Sequence, residues 1–285
     1  MQKFRKGHES GQREPTRGLP LLVGVCALAA TLMGCATDIQ TTSGQDYLEK
    51  YQAVPLASST NTSGFGGRNI DQMVRDAASV EPVLKFPARI GLARIDNGRL
   101  SAIPEEEAGA WKQAQEKLGS GFGEFVPLNP MVTEMVVGTI RDQRGYFDRS
   151  IDGVVTEIRL GAARQHLDAV LIYEEHSKDE TNENALSVAK LTIIGGFLLP
   201  SEGHTAQGFA DGTLIDVIQG YPYGNIRTVV DKQTQLSSAW GWGSGRDEQR
   251  QLSEQVKIQA GKQLAEEASG MFMKLRMELA ERRAK

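Results

Sequence analysis

Four groups of side chains in this 285-residue chain have types and spacings that could do chemistry. The sharpest is the thiol of Cys35, which follows Leu32-Met33-Gly34 at the close of an apolar run that begins at Leu19. Ahead of that run lies a basic tail with Lys3, Arg5, Lys6, Arg13 and Arg17. A basic segment, an apolar core of roughly 7–15 residues and a small residue before the cut are the parts of a secretory signal. A cysteine directly after such a cut is a nucleophile placed where processing happens. The second group is Glu174, Glu175, Asp179 and Glu180, the residue type that general acid–base chemistry uses. They stand in a polar run with Asn182 and Asn184 and read as a solvated loop. The third comprises His166, His176 and His204, none with a partner at the i+4 spacing of a zinc-binding helix. The fourth, Gly241-Trp242-Gly243-Ser244-Gly245, puts its serine one place late for Gly-x-Ser-x-Gly and has no clear strand before it. It reads as a turn leading into a helix. No catalytic or metal motif is complete, so no enzyme activity, metal or dissociable cofactor is expected.

The apolar run is short of the ~20 residues that a membrane-crossing helix needs, being bounded by Arg17 and Asp38. Leu32-Met33-Gly34-Cys35 resembles instead the lipobox of bacterial lipoproteins. That resemblance implies signal-peptidase recognition of Leu32, Met33 and Gly34, and cleavage after Gly34. It also implies a diacylglycerol thioether on Cys35 and an acylated new amino terminus, with chains such as palmitate. Ala36 in place of aspartate after the cysteine implies export to the outer membrane, with the protein lipid-anchored and facing the periplasm. Removing residues 1–34 discards five Lys or Arg against two Glu and takes the formal charge from −4 to −7. An acidic mature chain excludes nucleic acid and polybasic adhesion to lipid headgroups. The bilayer must then be held through Cys35, where each buried methylene contributes about 0.8 kcal/mol and more than one chain anchors stably. Cys26 falls inside the discarded segment and Cys35 carries lipid, so no thiol remains for a disulfide or a cysteine metal site.

The elements that must carry these groups follow from pattern. Residues 35–84 read as a flexible tether. They are rich in Ser, Thr, Asn and Gly around 58–67 and poor in the apolar surface needed to offset ordering entropy. About 45 such residues would reach roughly 35–40 Å. Residues 85–285 read as a single α/β domain. Ala88 to Ile95 alternates and ends in Asp96-Asn97-Gly98, which predicts a strand and turn. Pro104 followed by Glu105, Glu106 and Glu107 predicts a helix start, with Gly119 as its stop. Phe125 to Leu128 predicts a second strand and 151–167 a second helix. Ala169-Val170-Leu171-Ile172-Tyr173 is apolar throughout, as a central buried strand would be. Runs at 214–218 and 226–234 predict a hairpin across Tyr221-Pro222-Tyr223-Gly224. Leu252, Val256, Ala260, Leu264, Ala268, Met271, Leu275 and Leu279 make the stripe of one long carboxy-terminal helix. The expected fold is a mixed sheet with helices packed on it.

Taken together, several strings resemble periplasmic lipoproteins of the curli-pore and TolB amino-terminal-domain type, and more narrowly the rhombotarget lipoproteins. They are the lipobox, the strand at Ile90, Val126-Pro127-Leu128, Leu167 to Tyr173, Leu214-Ile215-Asp216-Val217 and the terminal helix. That resemblance implies a non-enzymatic accessory or scaffold in envelope assembly or surface-protein export, with envelope proteins as partners. The alternative is a subunit of an oligomeric secretion channel like the curli pore, a homo-oligomer. The chain departs from these families in two respects: it shows no carboxy-terminal Gly-Gly, apolar span and basic tail, and no clear pair of long alternating strands. Tyr221, Tyr223, Trp240 and Trp242 sit in glycine-rich turns and are candidate protein-binding anchors, the other reading being turn packing. The apolar stretch 186–200 is expected to be a buried strand or short helix, with an exposed docking patch as the alternative.

Overall fold

In a computed structural model the described residues are 36–51, 70–144, 151–182, 202–237 and 244–284. The described residues all belong to one compact unit. The first long strand of the sheet is β2 (Ala88–Asp96). Its inward alternation sends Ile90, Leu92 and Arg94 to one face and Gly91, Ala93 and Ile95 to the other, and all six are buried. Asn97 and Gly98 both take positive φ, the two-residue geometry that matches strand twist, and return the chain as β3 (Arg99–Ser101). α3 (Glu105–Leu118) crosses to β4 (Gly123–Pro127), parallel to β2. α3 is preceded by α1 (Gly44–Glu49) and α2 (Ile70–Ala78) near the amino terminus. α4 (Pro130–Arg144) and α5 (Ile151–Arg164) then lead into β5 (Ala169–Asn182), also parallel to β2. β6 (Glu202–Asp216) runs antiparallel to β5 over its full length. Next come β7 (Pro222–Val229), β8 (Gln233–Ser237) and α6 (Ser244–Ala284).

The sheet has eight strands in the order β1-β7-β6-β5-β2-β3, with β4 beside β2 and β8 beside β6. Here β1 (Ala36–Ile39) is an antiparallel edge strand on β7. The mixed α/β fold with its long terminal helix agrees with the sequence pattern. α6, about 60 Å long at 1.5 Å per residue, lies on one face with α3. Small residues on β6 (Ala206, Gly208, Ala210, Gly212) let it approach, and a side chain at Gly208 would collide with the α6 backbone at Val256. The core beneath holds Leu92, Trp111, Leu171, Leu214, Ile226, Leu264, Phe272 and Leu275. On the opposite face α5 covers the β2–β5 part of the sheet through Ala93, Ile158, Ala162 and Val170.

Three expectations change. The tether read over 35–84 is partly structure: β1 pairs residue for residue with β7, Ser43 caps α1, and Leu84 is buried. Main-chain pairing at a sheet edge needs no apolar run, which is why composition missed it. Residues 52–69 lie outside the described set. The polar run after Tyr173 is not a loop, because β5 continues to Asn182. α4 was not anticipated, although Asn129-Pro130 is a capping residue followed by a first-turn proline. The Asn129 carboxamide oxygen accepts from the Met131 N–H at 2.9 Å.

Candidate functional site

The two faces of the sheet each carry a charged cluster. Under α3 and α6, the Arg94 Nη2 donates to Glu175 Oε2 at 2.8 Å and its Nη1 to Ser101 Oγ at 3.0 Å. Its Nε stands 3.4 Å from Glu107 Oε1. Tyr173 OH donates to Glu107 Oε2 at 3.1 Å. Glu107 is fully buried, and Glu175 and Arg94 nearly so. Burial first, then the negative charge of and hydrogen bond to Glu175, push the Glu107 carboxyl up to about 8, against the pull of Arg94 and Tyr173. At neutral pH Glu107 is therefore protonated, and one guanidinium balances one carboxylate. Burial also raises Tyr173, so its hydroxyl stays a donor. Gly261 of α6 lies over both carboxyls, where a side chain would collide with them. Sealed by a helix, this cluster has the arrangement of a structural ion set. Of the four carboxylates read as a loop, Glu174 faces outward and Glu175 inward, while Asp179 accepts from Ser253 Oγ at 2.8 Å.

Among the described residues the other face is open beyond α5. A cleft of about 880 Å³ runs there, with Ile95, Val154, Val155 and Ile172 as its apolar wall and Asp211, Thr213, Asn225 and Arg227 as its polar floor. The His176 ring stacks on Phe209, centroids 5.6 Å apart, and its Nε2 lies 3.4 Å from Asp211 Oδ2. Arg227 Nε reaches Asp211 Oδ1, also at 3.4 Å. Thr213 Oγ1 donates to Asn225 Oδ1 at 2.9 Å. This half-exposed row spans β5, β6 and β7 and has donors, acceptors and an apolar wall. It has no Ser or Cys nucleophile among the described lining residues.

Tyr221 and Tyr223 are buried and do not present an aromatic patch, which corrects the expectation placed on them. Tyr221 OH donates to the Thr42 carbonyl at 2.8 Å. Tyr223 OH accepts from the Leu84 N–H at 2.7 Å and lies 3.4 Å from Asp216 Oδ2. Burial raises both hydroxyls, Tyr221 to about 12. What they hold is the chain's own amino-terminal segment. Thr41 Oγ1 on Glu278 at 3.1 Å, Arg282 on Asp46 at 3.6 Å and Arg283 on the Leu84 carbonyl complete that fastening. Leu32, Met33, Gly34, Cys35, Trp240, Trp242 and the stretch 186–200 lie outside the described residues. Among the described residues no group of His, Cys, Asp or Glu is placed to hold a metal ion. Nor is any described helix long and apolar enough to cross a membrane. Sequence reasoning missed Arg94 and Glu107. The available signal was the inward register of Arg94 between Leu92 and the turn, since an arginine on a core-facing position requires an acid beside it.

No protein-family profile matches the chain, and no curated protein matches it. Among solved structures it is similar to a PelC dodecamer from Paraburkholderia phytofirmans, at 11% identity over 67% of this chain and 91% of that one, TM-score 0.28. It is also similar to the lipoprotein GNA1162 from Neisseria meningitidis, at 15% identity over 56% and 90%, TM-score 0.24. A third is a putative neuraminyllactose-binding hemagglutinin homolog from Helicobacter pylori, at 10% identity over 71% and 97%, TM-score 0.29. The narrower resemblance to rhombotarget lipoproteins thus rests on its short strings alone.

Proposed function

We propose that this chain is a non-enzymatic envelope lipoprotein, anchored through lipid on Cys35 in the outer membrane and facing the periplasm. There it acts as an accessory or scaffold in envelope assembly or surface-protein export. The observation that carries the reading is the lipobox cysteine standing one residue ahead of β1, so that an acyl anchor is joined to the sheet itself. The open face around Asp211, Thr213 and Arg227 is the surface offered to an envelope protein. Against the channel alternative, the outer end of β5, Ser177-Lys178-Asp179-Glu180-Thr181-Asn182, is polar at alternate and intervening positions alike. A barrel wall needs an apolar outward row. The test is Cys35→Ala: the variant folds, as judged by circular dichroism, and leaves the membrane fraction for the soluble periplasm. A variant that stays membrane-bound after a high-salt wash contradicts the reading. A photo-crosslinker at Thr213 should capture a defined envelope protein that one at Lys112 does not, and equal capture at both sites removes the open face from the account.

A further inference from the structure

The two margins of the sheet treat their unpaired main-chain groups differently. At one margin β4 lies parallel to β2. The Ala88 N–H donates to the Phe122 carbonyl and the Leu128 N–H to the Leu92 carbonyl. The even-numbered residues of β4 therefore bond β2, and Gly123, Phe125 and Pro127 turn their main chain outward. The Phe125 N–H donates instead to Gln115 Oε1 of α3 at 2.7 Å, and Pro127 has no N–H. Beside β4, β3 is only three residues long. An incoming strand would find few donors here, which is how sheet edges are protected from pairing.

At the opposite margin β1 has no such cover among the described residues. The Gln40 N–H donates to the Tyr223 carbonyl at 2.8 Å, and in the same antiparallel register Asp38 bonds Asn225 and Ala36 bonds Arg227. Thr37 and Ile39 fall on the alternate pairs and turn their N–H and C=O groups away from β7. Those groups have no partner among the described residues. The edge is also held in place, since Tyr221 OH fixes the Thr42 carbonyl and Thr41 Oγ1 is bonded to Glu278. Its side chains alternate: Ile39 packs on the core under α6, while Asp38 stands exposed at the rim of the cleft. Asp38 has no ion-pair partner among the described residues, and the cleft lining sets three acids, Asp38, Glu174 and Asp211, against Arg227 alone.

This charge selects the occupant. A second copy of β1 laid antiparallel on this edge, with Thr37 bonded to Ile39, would set Asp38 opposite Asp38, and like charges directly opposite oppose pairing. A lysine or arginine in that place is attracted instead. Resting on the reading of the chain as a scaffold for other proteins, we infer that an extended segment of a different protein adds to β1 as a further strand. It sets a basic side chain opposite Asp38 and apolar side chains on either side, next to Ile39. Main-chain bonds to Thr37 and Ile39 supply the affinity, and the basic residue supplies the selection.

The test uses the membrane-extracted protein in detergent and short fluorescein-labelled peptides that alternate Val and Thr around a central Lys, Gln or Glu. By fluorescence anisotropy the Lys peptide should bind about fivefold tighter than the Glu peptide, and Asp38→Lys should reverse that order. Thr37→Pro removes an N–H that bonds nothing in the described fold and puts a ring in the path of an added strand. It should weaken peptide binding roughly tenfold or more while moving the thermal midpoint by less than about 2 °C. Binding unchanged by Thr37→Pro, or indifferent to the central charge, overturns the inference. So does an oligomer of the chain that Thr37→Pro disperses, which seats a second copy on the edge. If no peptide binds, strand addition is likewise overturned, and capture of an envelope protein at Thr213 then leaves the scaffold reading standing.

Discussion

On the α6 side of the sheet Arg94, Glu107 and Glu175 are buried, whereas on the cleft side Arg227, Asp211 and His176 are about half exposed. Each cluster sets an arginine against acids, the buried one across β2, α3 and β5 and the exposed one across β5, β6 and β7, and the two face different solvents. In the interior each loses hydration and must be matched by a partner and a proton, so removing one member leaves an uncompensated charge. In the cleft water does the matching, and the pairs contribute little to stability. The chemistry of a charged cluster here follows from which helix covers it. The buried set lies directly under α6 at Gly261, and the exposed set is in contact with solvent.

The largest effect should come from Arg94→Met, which strands the Glu175 carboxylate in the core and costs about 3–5 kcal/mol. Arg227→Ala should cost no more than about 1 kcal/mol. Urea unfolding of the two variants compares the faces directly, and equal losses would break the contrast. Next, Gly261→Ala should destabilise by about 1–3 kcal/mol through overpacking against Glu107 and Glu175. Gly270→Ala on the same helix, with open space around it, should stabilise by about 0.4–1 kcal/mol. Tyr223→Phe, which removes the acceptor of the Leu84 N–H, should cost about 1–2 kcal/mol. It should also speed amide exchange in residues 36–49 more than in β5.

A smaller and more diagnostic signal lies in pH. The Glu107 carboxyl rises from 4.5 to about 8 on folding, so between those values the folded state binds a proton that the unfolded state lacks. Stability from this group is complete below about pH 4.5 and is lost as pH rises towards 8. Glu107→Gln should flatten that slope. A slope unchanged by Glu107→Gln would contradict a protonated Glu107 in the folded state.

The alternation of Ala88 to Ile95, the apolar run at Ala169 to Tyr173 and the stripe from Leu252 to Leu279 were legible because each buries side chains at a regular period. β1 and the outer half of β5 were not, because their pairing is made by main chain under polar side chains. The buried acid was hidden by its neighbours. Glu105 and Glu106 are exposed first-turn acids that suit the helix dipole, and Glu107 next to them turns into the core. Tyr221 and Tyr223 misled for the opposite reason, since glycine-rich turns resemble exposed loops even where they cover an amino-terminal segment.

The claim on which the rest depends is the lipid on Cys35. Intact-mass and tandem mass spectrometry of the membrane-extracted protein tests it at one atom. The mature chain should start at Cys35, its first peptide carrying diacylglycerol and an additional acyl group. A membrane-extracted chain that retains residues 1–34, or that begins at Cys35 with a free thiol, would contradict it.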